Sequence, residues 1–286
     1  MLFTEGQKLF NKYMITHGMS EETIKGYLKD LRLFNHYMTD VYNTAIYVED
    51  VTADDVEEYM YYLLDERELA PRSRNRYLFS LRSFLNYAVK KRWVEFNAAT
   101  EVDPVKVMDE KKVALTQEEI EELLSAIEHP IIRFAVALLS FTGLRVKEAR
   151  TLILSDIDFE QNRLLANGKG KKQRYIPIAQ SFKPYLEEYI AEIRESNDSP
   201  YLLATKKTGK LSAIYINNEL HRAVKELGWD KNVTCHALRR SFATNLLRKG
   251  VNVFAISKLL GHASIKTTTV YLQLNENELQ EAVNKL

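Results

Sequence analysis

Residues 234–271 read TCHALRRSFATNLLRKG (234–250), VNVFAISKLLGH (251–262) and ASIKTTTVY (263–271). Thr234 can cap a helix that ends at Gly250. At 3.6 residues per turn His236 and Arg239 stand about 60° apart on one face, which Leu238, Phe242, Ala243 and Leu246 share. An arginine inside an apolar sector is costly unless an anion or carboxylate meets it, so Arg239 is aimed at something negative. The second piece predicts a helix closed by Gly261 with His262 just beyond it. The third predicts a short helix that Ser264 caps and Tyr271 ends.

Working back from that stretch, TGLRVKEARTL (142–152) predicts a helix starting near Leu144. Arg145, Val146, Ala149, Leu152 and Ile153 then occupy one broad sector, so a second arginine is expected to turn inward. Glu148, one turn on, can hold that guanidinium by charge-assisted hydrogen bonds, although the same spacing also describes a plain helical ion pair. From Asp156 the hydrophobic period becomes two. Ile157 and Phe159, Leu164 and Ala166, and Tyr175 and Ile176 predict short strands, with NGKGKKQR (167–174) as a hairpin tip. Lys169 sits in that tip between two glycines. A phosphate-loop reading fails on spacing and on the missing Ser or Thr after the lysine.

Helices are expected on either side. Thr116 with Glu119 forms a capping box, Pro130 opens a segment apolar through Phe141, and Ser181 and Ser212 are expected caps beyond Pro177. In the tail NENELQEAVNKL (275–286), Asn275 and Glu278 form another box, while Leu279 and Val283 make only a narrow stripe. A helix with so little to bury is expected to dock elsewhere, on a neighbouring molecule.

The first hundred residues read as helices throughout. An amphipathic piece over 4–17 ends near Gly18; Ser20 caps a second carrying Ile24, Tyr27, Leu28, Leu31 and Phe34. Thr52 and Asp55 box a third with Val56, Tyr59, Met60 and Leu63, and Pro71 opens a fourth with Leu78, Leu81, Phe84, Leu85 and Ala88. The period then disappears in NAATEVDPVKVMDEKK (97–112), where a linker is placed. The chain is thus expected to be mainly α with a small antiparallel β-sheet. Its expected parts are a helical domain over 1–100, a linker over 101–112 and a mixed α/β domain over 113–286.

Charge is segregated. Between Leu33 and Glu66 there is no lysine or arginine, whereas Arg67, Arg72, Arg74, Arg76, Arg82, Lys90, Lys91 and Arg92 follow with only Glu68 against them. The net charge of +1 hides this asymmetry. Basic residues sharing a helix with a strong apolar stripe and almost no acidic partners suggest a phosphate-facing helix, on which Arg72, Arg74, Arg76, Arg82, Lys90 and Lys91 are the candidate phosphate contacts. With 286 residues, 45% hydrophobic and 28% charged, the chain suits two ordinary soluble cores. It lacks any apolar run of the roughly 18 residues that span a bilayer, and its start lacks a signal peptide's pattern, so no membrane partner and a cytoplasmic location are expected. The single cysteine, Cys235, allows no internal disulfide and reads as a small packing residue.

Arg145, Lys169, His236, Arg239, His262 and Tyr271 together suit a phosphodiester. A tyrosine hydroxyl, with a free pKa near ~10, attacks phosphorus only beside cations or a base. Two arginines neutralise non-bridging oxygens as charge builds, and a lysine is suited to protonating a departing 5′ oxygen. No metal and no cofactor are called for, and the clustered carboxylates of a two-metal nuclease are missing from these motifs.

The segments TGLRVKEA, NGKGKKQRYIP, HALRRSFATNLL and LLGHASIKTTTVY, in that order, closely resemble the catalytic signature of the tyrosine recombinases, or lambda-integrase family, particularly its Xer-like branch. SEETIKGYLKDLRLF and LAPRSRNRYLFSLRSFLNYAV resemble that family's helical core-binding, SAM-like domain more loosely. The resemblance implies that Arg145 and Arg239 clamp the scissile phosphate beside His236 and His262, that Lys169 is the general acid, and that Tyr271 forms a 3′-phosphotyrosyl bond. Glu148 would orient Arg145. It also implies a tetramer on two double-stranded DNA sites, made of this chain or paired with a related recombinase, with a two-domain clamp around DNA and the tail docked into the next subunit. FNAAT near residue 97 departs from the usual Asn-Pro, which bears on linker stiffness only. The absence of an arm-binding domain before Met1–Gly18 favours a mobile-element or Xer-type resolvase over a large phage integrase. Competing expectations are a catalytically inactive DNA-binding regulator of the same fold and a type IB topoisomerase-like strand transferase.

Overall fold

The structure, a computed structural model, describes residues 1–108, 112–168, 172–194, 198–205 and 209–262. The chain divides into two compact units, Met1–Glu110 and Lys111–Leu286.

In the first unit the helices are α1 (Phe3–Thr16), α2 (Glu21–Tyr42), α3 (Ala53–Asp65) and α4 (Pro71–Lys90). Their starts follow from local chemistry: Ser20 accepts from the Thr23 N–H, Thr52 and Asp55 cap each other reciprocally, and Pro71 opens α4. Phe3, Phe10, Phe34 and Phe84 meet in the core, where the Phe3 and Phe84 rings lie edge to face at 4.8 Å. Beyond α4 the chain stays attached. Ala99 and Val102 are buried, Arg82 Nε donates to the Ala99 carbonyl at 2.8 Å, and Asn75 both donates to and accepts from the Val105 backbone at 2.8 Å. Side chain to backbone bonds hold this stretch, which is why no hydrophobic period marks it.

The expectation that the basic run lacks acidic partners fails at Arg76. Its guanidinium meets both carboxylate oxygens of Asp30, a buried residue of α2 that also accepts from Ser80 Oγ at 2.7 Å. Arg82, with its bonds to the Ala99 and Val102 carbonyls, is likewise turned to its own unit. Arg74 is partly buried, whereas Arg72, Lys90 and Lys91 are exposed.

The second unit is organised on α6 (Pro130–Thr142), where Ile131, Ile132 and every residue from Phe134 to Ser140 are buried. A helix apolar all round belongs in a core, and α5 (Gln117–Ala126), α7 (Val146–Thr151), α9 (Ala213–Glu226) and α10 (Cys235–Arg248) pack on it. The strands β1 (Ile157–Asp158), β2 (Arg163–Asn167) and β3 (Gln173–Pro177) form an antiparallel sheet in sequence order, with Leu164 opposite both Ile157 and Ile176. The remaining helices are α8 (Lys183–Glu188), continued by a π-type turn at Tyr189–Ile193, and α11 (Val253–Leu260). Among the described residues no helix is long and apolar enough to cross a membrane.

Two expected caps differ. Helix α8 starts after Phe182, whose fully buried ring fixes that corner in place of Ser181, and Ser212 stands at the N-cap of α9 without a side-chain cap bond. The Ser264 cap and the docking helix of the tail lie outside the described residues.

Candidate active site

Two helix ends build the site. Helix α6 stops at Gly143 and α11 at Gly261, both left-handed, with φ of 62° and 65°. Each glycine also faces a close neighbour: a Cβ on Gly143 would come within 2.8 Å of Phe242 Cε1, and one on Gly261 within 2.9 Å of Arg174 Cδ. The C-terminal carbonyls of both helices carry partial negative charge, and Arg239 collects them. Its Nη1 donates to the Gly143 carbonyl at 2.6 Å and its Nη2 to the Leu260 carbonyl at 2.7 Å, from a residue only 3% exposed. The negative counterpart expected for this buried arginine is therefore a pair of carbonyls, with Glu148 Oε2 at 3.9 Å.

The turn at Gly143 also corrects the expected start of the next helix. Leu144 is buried and Arg145 takes an extended backbone (φ −68°, ψ 147°), so α7 begins at Val146 with Arg145 as its N-cap. Arg145 is thus not turned inward; its side chain is 38% exposed. Glu148 binds it twice, Oε2 accepting from the Arg145 backbone N–H at 2.8 Å and Oε1 from Nη1 at 2.9 Å.

A third arginine, which the sequence reading did not single out, completes the cluster. Arg174 of β3 donates from Nη1 and Nη2 to the two Glu148 oxygens, each at 2.9 Å, and from Nε to the Leu259 carbonyl at 2.7 Å. Period two was the available signal, since Arg174 shares a strand face with buried Ile176. Burial by itself would raise the Glu148 carboxyl pKa, but the bonds from Arg174 and Arg145 outweigh it and hold the group below the usual carboxylate range. Among the described residues, three guanidiniums thus surround one carboxylate, an excess of positive charge that suits an anion.

His236 lies one turn before Arg239 on α10 and is exposed; partial desolvation, then the charges of Arg239, Arg240 and Arg145, lower its pKa. His262, half-buried just past Gly261, is lowered further, to about 4, by burial and then by Arg239, Arg145 and Arg174. Both rings are neutral near pH 7, so each has a nitrogen able to accept a proton. Cys235 is buried and its thiol is pushed up to about 12 by that burial, which suits packing rather than nucleophilic attack. The structure therefore brings together Arg145, Glu148, Arg239 and His262 with His236 nearby. Lys169 and Tyr271 lie outside the described residues.

Residues 114–278 match the Phage integrase family, and residues 7–93 match the Phage integrase, N-terminal SAM-like domain. The chain belongs to the phage integrase family. Within it, the chain is a tyrosine recombinase of the Xer-like branch. It is 32% identical to tyrosine recombinase XerC of Pediococcus pentosaceus, over 97% of this chain and 96% of that one. It is 28% identical to tyrosine recombinase XerD of Oceanobacillus iheyensis, over 96% and 95%. The fold of this tyrosine recombinase is similar to a lambda integrase(75–356) dimer bound to a COC′ core site, with a TM-score of 0.80 and 20% identity over 95% of both chains.

Proposed function

We propose that this tyrosine recombinase cuts and rejoins DNA at specific sites through a 3′-phosphotyrosyl intermediate, with Tyr271 as nucleophile. The observation that carries the reading is the cluster itself: Arg145, Arg174 and Arg239 around a single carboxylate, flanked by two histidines of lowered pKa.

In this reading Arg145 and Arg239 neutralise the non-bridging oxygens of the scissile phosphate, and the positive excess strengthens as phosphorus becomes pentavalent. Glu148 holds Arg145 in one orientation. The Tyr271 oxygen bonds to phosphorus while the bond to O5′ breaks; the phenolic proton passes to a neutral imidazole, His236 or His262, and Lys169 protonates O5′. The phosphotyrosyl ester keeps the energy of the broken link, so a second 5′ hydroxyl can religate the strand without metal or ATP. In this reading Arg72, Lys90 and Lys91, which are exposed, contact DNA phosphates. The domain scheme of 1–100, 101–112 and 113–286, a tetramer on two duplexes, and work in the cytoplasm complete the proposal. A role as a mobile-element integrase or resolvase, or in Xer-type dimer resolution, belongs to the same proposal.

The test is covalent trapping. A nicked duplex carrying the recombination site, selected from a random library, should give a denaturant-resistant protein-DNA adduct that disappears in Tyr271→Phe. Tight site-specific binding with no adduct would instead make the protein a regulator, and adducts scattered over unrelated duplexes a topoisomerase-like strand transferase.

A further inference from the structure

We propose, on the reading that Arg145 and Arg239 hold the scissile phosphate, that Arg174 is a positioning residue that acts through Glu148: it takes up the carboxylate charge and so keeps Arg145 available to the DNA.

A carboxylate that steers a phosphate-holding arginine sets up a conflict. The charge that orients the guanidinium also neutralises it, and a one-to-one pair has little attraction left for an anion. Glu148 stands in that position toward Arg145, accepting from its backbone N–H at 2.8 Å and from its Nη1 at 2.9 Å. Arg174 resolves the conflict from β3. Its Nη1 and Nη2 donate to Oε1 and Oε2, each at 2.9 Å, so its planar fork engages both carboxylate oxygens, whereas the Arg145 guanidinium meets the carboxylate through one nitrogen.

The two arginines also differ in exposure. The Arg174 side chain is 13% exposed and its Nε is tied to the Leu259 carbonyl at 2.7 Å, while the Arg145 side chain is 38% exposed. Arg174 is thus committed inside the fold, and Arg145 is the partner that a phosphate can reach. Gly168 also lies beside Glu148 Oε1 but brings no charge. Burial favours the neutral acid, and the Arg174 bonds are foremost among those that keep Glu148 ionised against it. Without Arg174, the carboxylate charge falls on Arg145 and Arg239 among the described residues, and the positive excess of the cluster drops.

The experiment compares single-turnover adduct formation on two nicked duplexes, one with the natural scissile phosphodiester and one with a neutral methylphosphonate in its place. Arg174→Gln should slow cleavage of the phosphodiester by about 100-fold, the order expected when charge stabilisation is lost at a reacting phosphate. On the methylphosphonate, which has one negative charge fewer to stabilise, the same variant should lose less than about 10-fold relative to wild type. Adding Glu148→Gln removes the carboxylate charge while leaving a side-chain oxygen to accept from Arg145, so the double variant should cleave the phosphodiester within about 10-fold of wild type. An Arg174 that served the fold alone would slow both substrates alike and would not be rescued by the second substitution. Either result overturns the proposal, as does a wild-type rate for Arg174→Gln. If the thermal midpoint shows that Arg174→Gln does not fold, the double variant decides: phosphodiester cleavage about 100-fold slower than wild type overturns the proposal. Absence of any Tyr271-dependent adduct from the wild-type protein would remove the phosphotyrosyl reading and this proposal with it, whereas a wild-type adduct together with any of the overturning results removes this proposal alone.

Discussion

The two units use arginine in opposite ways. In the first, Arg76 is matched by one buried carboxylate, Asp30, and Arg82 by two backbone carbonyls. In the second, Arg145, Arg174 and Arg239 share Glu148. A one-to-one pair at the edge of a core is balanced within the fold and has little left to offer a ligand. Three cations around one anion leave an excess of positive charge, which in the proposed function a phosphate completes. Counting basic residues along the chain favours the first unit as the phosphate-binding one. Counting the carboxylates that meet them reverses the emphasis.

Arg76→Met leaves the Asp30 carboxylate buried with Ser80 as its remaining partner, and should destabilise the unit by about 3 kcal/mol in urea unfolding, with little change in the salt dependence of DNA binding. An unchanged unfolding midpoint together with a shallower salt slope would make Arg76 a DNA contact after all. A smaller effect sharpens the same contrast. Lys90 and Lys91 are exposed, so replacing either with alanine should leave stability untouched and reduce the slope of log K against log salt by about 0.9. Slopes equal to wild type would remove these lysines from the DNA face.

What was legible in the sequence was local. Ser20, Thr52 with Asp55, Thr116 with Glu119, and Thr234 all cap the helices their spacing announced, because a cap needs partners only three residues away. The sheet likewise followed from period two and a glycine-rich tip. The misses were non-local. Asp30 meets Arg76 across 46 positions and Arg174 meets Glu148 across 26, distances over which no periodicity carries information. The neighbours of Arg145 have helical spacing, which predicts a helical residue. The left-handed Gly143 turns the chain just before it and places it at the cap instead. The site residues Arg239 and His262 were legible as members of a motif, while the two carbonyls that anchor Arg239 come from helix ends that only the folded chain brings near.

In the proposed function the shared-carboxylate cluster holds the phosphate that is cut. Arg145 tests it most directly, since its side chain is 38% exposed and its replacement leaves the core intact. Measured by single-turnover adduct formation on a nicked site, Arg145→Lys should keep the fold and DNA affinity and slow cleavage at least about 100-fold, because lysine retains the charge but not the fork. Cleavage at the wild-type rate would show that Arg145 does not hold the scissile phosphate.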